Sequence, residues 1–410
     1  MLDIKEKLLK EDYRKEDNLA DLPVIALLDI RESEVKSLEK FGLVTIEKLA
    51  KEWNKHYSDL SKLFPKERID SWIAASKLLL VEKTEKITSG AKIILAGIDN
   101  VGKTSLSIAL KHRGAFSLLF QKLNALTPTR GLLRGKLEVF GLDIHLHELG
   151  GQKIYRDDYL NNPEQYFIGT DTIIYVVDVQ AEDRYEESFE YLKQIVNVTQ
   201  KLKLDVPWTI FFHKSDPDFV LSEKANSIFG SMVQYLHSNV PTFDPARGIF
   251  RTSVHIRSSI LGAFSHIFRN ISLIQDYIAN ASKQVAETLN AEFFGLYDFR
   301  SNICFAQYSK NEKLEELSHN AYYEAIETIA NMREPFLRIR RYVLDDEEKT
   351  NEIFILRDLE FKNERYIMAL LTSDESVARK LDQDEIENII NRHLEDWIEF
   401  RSYAKFPTTI

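Results

Sequence analysis

Cysteine is nearly absent: Cys304 stands alone in 410 residues. A lone thiol excludes an internal disulfide framework and a cysteine-based zinc site, and it fits a reducing compartment. It lies in the apolar run Ile303-Cys304-Phe305-Ala306, so it is expected in the core rather than as a reactive thiol. No apolar run approaches the length of a membrane span. The chain starts Met1-Leu2-Asp3-Ile4-Lys5, charged from the outset, so no secretory leader is expected, and Leu2 removes the glycine that N-myristoylation needs. The ending Phe406-Pro407-Thr408-Thr409-Ile410 has no prenylation cysteine. A cytoplasmic location is expected, with any membrane role peripheral and mediated by partners. Net positive charge is also lacking: 54 Lys and Arg against 64 Asp and Glu leave −10. That makes nucleic acid an unlikely main partner. Repeats and low-complexity tracts are missing too. What remains is 44% hydrophobic and 29% charged, the make-up of a globular chain with roughly two or three domains.

The most informative stretch is Gly97-Ile98-Asp99-Asn100-Val101-Gly102-Lys103-Thr104, directly after the apolar run Ile93-Ile94-Leu95-Ala96. It fits G-x-x-x-x-G-K-[ST], the phosphate loop. Gly97 and Gly102 let the backbone bend so that successive N–H groups face a phosphate. Lys103 neutralises the outer phosphates, the Thr104 hydroxyl ligates Mg²⁺, and the helix opening near Ser105 aims its positive end at the anion. Ile173-Ile174-Tyr175-Val176-Val177-Asp178 and Trp208-Thr209-Ile210-Phe211-Phe212 are short β-rich runs separated by a helical stretch around 188–201. This alternation predicts an α/β fold with a mainly parallel sheet.

The second run ends in His213-Lys214-Ser215-Asp216, at the strand end where open α/β sheets bind ligands. A carboxylate at Asp216 can accept both the N1–H and the exocyclic amine of guanine, a donor pair that adenine lacks. Lys214 can lay its stem along the base. Leu149-Gly150-Gly151-Gln152 follows the alternating run Leu142–His147. The Gly151 N–H is placed to touch a γ-phosphate, and Gln152 to orient an attacking water. Upstream, Thr127-Pro128-Thr129-Arg130-Gly131 offers a threonine for Mg²⁺. Ser253 and Val254, in Phe250-Arg251-Thr252-Ser253-Val254, end a strand that can offer backbone groups to the base. His145 and His147 form an H-x-H pair without an evident third metal ligand, so half-buried or solvated rings are expected.

Together these motifs resemble a Ras-superfamily small GTPase of the Arf/Arl/Sar branch. Asp99-Asn100 inside the loop and the double glycine before Gln152 carry that likeness. His213 before Lys214-x-Asp216, with Phe250-Arg251-Thr252-Ser253 downstream, is similar to the Rag/Gtr GTPases. The resemblance covers residues 90 to about 275 and implies GTP and GDP as ligands, with Mg²⁺. Asp99, Asn100, Val101, Gly102, Lys103, Thr104, Ser105, Thr129, Gly151, His213, Lys214, Asp216, Ser253 and Val254 are then the nucleotide contacts. Lys103, Thr129 and Gln152 act in hydrolysis, Gln152 as the residue that positions water. Thr104, Thr129 and Glu148 serve the metal. Rag-type spacing would favour Thr127 over Thr129, but Pro128-Thr129-Arg130-Gly131 fits the Arf pattern better. Glu148 departs from the family, which has Asp in D-x-x-G; the extra methylene should shift the metal's water. Arg130 and Arg134 lie in the switch segment, yet neither is clearly an arginine finger, which implies slow turnover that needs a partner. The implied activity is a GTP-hydrolysing switch served by exchange or activating proteins. The alternative is a nucleotide-locked scaffold with little turnover.

The flanks read separately. Residues 1–20 carry mixed charge and are expected to be mobile. Residues 21–87 read as helices. Within them a helix over 32–40, a turn at Gly42 and Thr45 as the cap of a second helix resemble a helix–hairpin–helix module. Where such modules grip DNA, this chain has Leu63-Phe64-Pro65-Lys66-Glu67-Arg68, without glycine, so a protein-docking or purely structural helical module is the stronger expectation. Residues 88–278 form the nucleotide-binding domain. In 279–410 the order ββαβββα, ending in a helix over 375–403, resembles a roadblock/longin-like domain, which implies a homo- or heterodimer through that part.

Overall fold

The computed structural model describes residues 5–374, except 6–7, 17, 81–90, 112–118, 120, 124–125, 127–128, 140–141, 205, 240–247, 272–274, 333–339, 345–351 and 362–363, and also residues 388–389. The final helix expected over 375–403, and Thr127, lie outside the described residues.

Four helices come first: α1 (Glu32–Lys40), α2 (Ile46–Glu52), α3 (Tyr57–Leu63) and α4 (Lys66–Leu80). Gly42 turns the chain between α1 and α2 at φ +74°, a value open to glycine without strain. The Thr45 hydroxyl then caps α2 by accepting from the Lys48 N–H at 3.3 Å. Leu38, Ile46, Leu49, Ile69, Trp72 and Ile73 pack into a core of their own. The expectation of a mobile start is corrected in part. Leu9 is wholly buried in that core, and the Lys10 N–H bonds to the Ala26 carbonyl at 2.9 Å. The mixed charge around Leu8 and Leu9 concealed an apolar anchor.

The main sheet has the order β2-β3-β1-β4-β5-β6, parallel except for the antiparallel edge strand β2. Its strands are β1 (Ala91–Ala96), β2 (Leu132–Val139), β3 (Leu142–Leu149), β4 (Thr172–Asp178), β5 (Trp208–His213) and β6 (Ile249–Thr252). β-branched and aromatic residues fill β4 and β5, buried on both faces as parallel strands must be. In chain order the helices are α5 (Lys103–Lys111), α6 (Lys153–Asn161), α7 (Pro163–Phe167), α8 (Tyr185–Lys201), α9 (Pro217–Val220), α10 (Glu223–Asn239) and α11 (Arg257–Ile271). In α8, Ser188, Phe189, Leu192, Ile195, Val196 and Thr199 recur at three- and four-residue steps and form its buried face. Each large apolar residue there stabilises the fold by about 2 kcal/mol.

After α12 (Gln275–Thr288), the strands β7 (Phe293–Asp298), β8 (Cys304–Ser309), β9 (Arg340–Leu344), β10 (Glu352–Phe361) and β11 (Glu364–Thr372) form a second, antiparallel sheet. Its order is β8-β7-β11-β10-β9, and α13 (Glu312–Met332) packs on it. Every position of β7 is buried, so both faces of the sheet are covered there. The boundary expected between residues 278 and 279 falls inside α12. That helix packs on β7 and β8 on one side and on α4 on another, while α11 touches both β6 and β8. One continuous apolar core therefore runs from Ala91 to Leu371.

Candidate functional site

The site forms where β1 ends and α5 begins. The loop between them reverses through Gly97 (φ +145°), Asn100 (φ +63°) and Gly102 (φ +92°). A Cβ on Gly97 would lie 2.5 Å from the Val176 carbonyl oxygen, so that glycine is dictated by space as well as by φ. Lys103 is buried, and its Nζ donates to the carbonyls of Gly97 at 2.9 Å and Ile98 at 2.6 Å. Burial pushes its ammonium down to about 8, against the opposing pull of Glu148 and Asp99.

Beside it, three oxygen-bearing side chains converge. The hydroxyls of Thr104 and Thr129 lie 2.8 Å apart. Both donate to Glu148 Oε1, Thr129 at 2.9 Å, while Ser107 reaches Oε2 at 3.4 Å. Glu148 is 2% exposed. Two hydroxyls around a buried carboxylate, next to a lysine, make the hard-oxygen donor set that suits Mg²⁺. The residues present thus fit that ion. His145 and His147 are both partly buried, and among the described residues no group of three or more His, Cys, Asp or Glu is placed to hold a metal.

Gly150 and Gly151 close the site from the β3 side. The Gly150 N–H donates to Gly131 O and to the buried Tyr159 hydroxyl, each at 3.0 Å. Gly151 packs so closely on the loop that a Cβ there would lie 2.2 Å from the Asp99 nitrogen. Gln152 follows as the residue capping α6. Asp99, Asn100, Gly102, Lys103, Thr104, Ser105, Thr129, Glu148, Gly151, Gln152 and Lys214 line one cavity of about 320 Å³, within the range of small-ligand sites. Val101 is buried beneath the loop instead.

The residues expected to read the base lie at the tip of β5. Asp216 accepts from the Ser253 hydroxyl on Oδ1 and from Gln180 Nε2 on Oδ2 at 3.0 Å. Lys214 (φ +60°) turns its Nζ to Asp178 Oδ2 at 2.6 Å, which fixes its stem at the cavity edge. Ser253 gives its N–H to Ser259 Oγ at 3.0 Å, so its side chain rather than its backbone serves Asp216. Val254 stands next to it, partly buried. His213 is 1% exposed and does not face the cavity. Its Nδ1 pairs with Thr252 Oγ1 at 3.0 Å, and its ring edge fills the space that a Cβ on Gly102 would need. It supports the phosphate loop from beneath.

Sequence reasoning missed Arg184, Glu187 and Arg156. Arg184 Nη2 pairs with Asp99 Oδ1 at 2.6 Å. Burial raises the Asp99 carboxyl, but the guanidinium outweighs it and holds the group below the usual range. Nothing local to Asp183-Arg184 announces a partner 85 residues upstream.

Burial also sets a pH dependence. It pushes His213 down to about 4 and His319, in the second sheet's core, down to about 3. Burial with neighbouring Lys92, Arg134 and His145 lowers His147 to about 4. Below pH 6.5 the unfolded chain binds protons that these folded histidines refuse, so stability falls as pH falls. Asp171 opposes them: burial raises its carboxyl to about 7, so the folded form takes up its proton first. Three histidines against one carboxyl leave a net loss of stability at pH 5 relative to pH 7. Thermal unfolding should show a lower midpoint at pH 5; an equal or higher midpoint would contradict the balance.

The Gtr1/RagA G protein conserved region, as a family model, matches residues 92–332, more than half of the chain. ADP-ribosylation factor-like protein alp41 of Schizosaccharomyces pombe (strain 972 / ATCC 24843) is 32% identical over 163 residues, 40% of this chain and 80% of its own. ADP-ribosylation factor-like protein 3 of Chlamydomonas reinhardtii is 30% identical over 139 residues, 34% of this chain and 71% of its own. The solved Arl6 BBS3 small GTPase from Trypanosoma brucei, with bound nucleotide analogue GppNp, is 20% identical and covers 43% of this chain and 94% of its own, at a TM-score of 0.34. With the phosphate loop, the Gly150-Gly151-Gln152 turn and the Asp216 strand end on one sheet, the chain belongs to the Gtr1/RagA G-protein family, an Arf- and Rag-like branch of the Ras-superfamily small GTPases.

Proposed function

We propose that the chain is a Mg²⁺-dependent guanine-nucleotide switch that hydrolyses GTP to GDP and phosphate. The observation that carries this reading is the convergence of the Thr104 and Thr129 hydroxyls on Glu148 beside buried Lys103. Thr104, Thr129 and Glu148 would hold the metal, which when bound supplies charge neutralisation at the outer phosphate oxygens. Lys103 binds those phosphates from the loop side. Asp216, oriented by Ser253, accepts the guanine N–H groups once the Gln180 amide yields its place. In the reaction, a water oxygen bonds to the γ-phosphorus. The bond from that phosphorus to the oxygen shared with the β-phosphate breaks, and its electron pair leaves with GDP. The water's proton ends on the phosphate released. Gln152, at the cavity rim, orients that water.

Single-turnover hydrolysis of GTP by the full chain, with excess ATP as competitor, tests this reading. GTP turnover undisturbed by a hundredfold excess of ATP is expected; binding of ATP as tight as that of GTP would sink the Asp216 assignment. A second reading, a nucleotide-locked scaffold, is favoured by Glu148, whose carboxylate is already engaged by both threonines. Tight binding without turnover in the same assay would select it.

The second sheet supports a roadblock/longin-like role in pairing. β9 is an end strand of that sheet, and an end strand offers unpaired backbone groups to another chain. The full chain is expected to be at least a dimer at micromolar concentration, or to pair with a related subunit. Light scattering decides: a monomer that also ignores any related chain would remove pairing from the function.

A further inference from the structure

Asp99 is gripped at two atoms by Arg184. Nη2 donates to Oδ1 at 2.6 Å and Nη1 to the backbone carbonyl at 3.1 Å. The same guanidinium donates to Glu187 Oε2 through Nε at 3.2 Å and Nη2 at 2.9 Å. The other oxygen of Glu187 accepts from Arg156 Nη2. Arg156 stands in the first turns of α6, and its N–H bonds to the carbonyl of Gln152 at 3.1 Å. Four alternating charges therefore join the phosphate loop to the turn that begins with Gln152.

Arg156 is a costly residue to place there. It is 9% exposed, its guanidinium lies 5.1 Å from the ring centre of Tyr191, and its Nε is buried without a partner in the structure. A buried cation with one carboxylate partner is left uncompensated when that partner goes. Burial raises the Glu187 carboxyl, but the two guanidiniums outweigh it and keep it ionised. The planar guanidinium fork also fixes direction, which a flexible ammonium does not. The tie meets a second constraint: Gly151 already touches the backbone at Ile98 and Asp99. The loop and the Gln152 turn are thus held together at two points, by van der Waals contact and by charge.

We propose that Arg184 and Arg156 are positioning residues for GTP hydrolysis, acting through Glu187 to set Gln152 against the phosphate loop. The proposal rests on the GTPase reading above. It is tested with Arg184→Gln, Arg156→Gln and the double variant of the full chain. Single-turnover GTP hydrolysis and the affinity for a fluorescent GDP derivative are measured on each. Hydrolysis is expected to fall about tenfold in each single variant, because small displacements of reacting groups cost that much or more. GDP affinity should stay within about threefold, since the chain positions α6 rather than the base or the phosphates. The double variant should be no slower than the slower single, as befits residues on one tie. If Arg156→Gln lowers the unfolding midpoint sharply, Arg156→Lys keeps the buried charge and replaces it in the cycle. Rates that multiply in the double variant overturn the proposal. So do wild-type rates in the singles, or a fall in GDP affinity as large as the fall in rate. A wild-type chain that turns GTP over while the singles keep its rate overturns this proposal alone; one that binds guanine nucleotide without turnover, or binds none, overturns the GTPase reading beneath it.

Discussion

Lys103→Ala is expected to all but abolish guanine-nucleotide binding, with an affinity loss on the order of a thousandfold. The side chain is buried, and its Nζ is fixed by the carbonyls of Gly97 and Ile98 at the floor of the loop. Burial, with Arg156 and Arg184 adding to it, has lowered its ammonium to about 8. An anion of several charges would favour the charged form further and gain from the low dielectric around it. Alanine removes the cation and strands two carbonyls, and removing one partner of a desolvated charge pair costs about 2–5 kcal/mol. Arg184 and Arg156 cannot substitute, because both are committed to Asp99 and Glu187. Calorimetric titration with GDP reads the result directly. Binding within tenfold of the wild type would show that the loop is not the phosphate site.

Gly151→Ala should have the second largest effect, on turnover rather than on binding. Its new Cβ would lie 2.2 Å from the Asp99 nitrogen, 2.3 Å from the Ile98 carbonyl carbon and 2.4 Å from the Ile98 oxygen. All three are backbone atoms of the phosphate loop, so no side chain can swing aside. The turn itself must retreat, taking Gln152 with it. A displacement near 1 Å between reacting groups costs about a hundredfold. Single-turnover hydrolysis is therefore expected to drop by roughly that factor, while GDP affinity, set by Lys103 and Asp216, survives. Gly262 is a useful contrast, because its φ is not positive and nothing lies within 4 Å of its Cβ position. Equal losses of affinity and rate in Gly151→Ala would show that the turn supports the nucleotide and not the attack.

The legible parts of this site are those whose geometry is local. The phosphate loop is eight consecutive residues, and its glycines announce themselves because only they fit the positive φ values and the close approach of β4. Asp216 is legible because a strand end followed by a carboxylate needs no distant partner to be recognised. Choosing Thr129 over Thr127, and reading Glu148 at all, required the resemblance, since 25 and 44 residues separate Thr129 and Glu148 from Thr104. Glu148 looked like a handicap of one methylene. In the fold its length lets one carboxylate take both threonine hydroxyls and reach toward Ser107. His213 read as a nucleotide contact, yet its ring packs beneath Gly102, a role that depends on a backbone 111 residues earlier and that no strand-end pattern contains. The ion pairs of Arg184, Glu187 and Arg156 were illegible for the same reason. Charged residues at helix starts are common, and only the tertiary structure says which of them face inward. In the second sheet the runs over 293–299, 303–308, 353–357 and 366–371 were visible as strands, whereas Leu8 and Leu9 were lost among charges.

The unbroken core from Ala91 to Leu371 gives nucleotide occupancy a reach beyond its own cavity. A ligand that binds only the folded form adds RT ln(1 + [L]/Kd) to stability, about 4 kcal/mol at a thousand times its dissociation constant. In a chain of independent beads that increment would stop at the bead that binds. Here α11 packs against strands of both sheets, so neither sheet can melt without stripping the other of apolar cover. The antiparallel sheet, which touches no phosphate, thereby shares in the reserve that the nucleotide supplies. How long that sheet keeps its shape in a cell is set in part by the concentration of a small molecule bound at the other sheet.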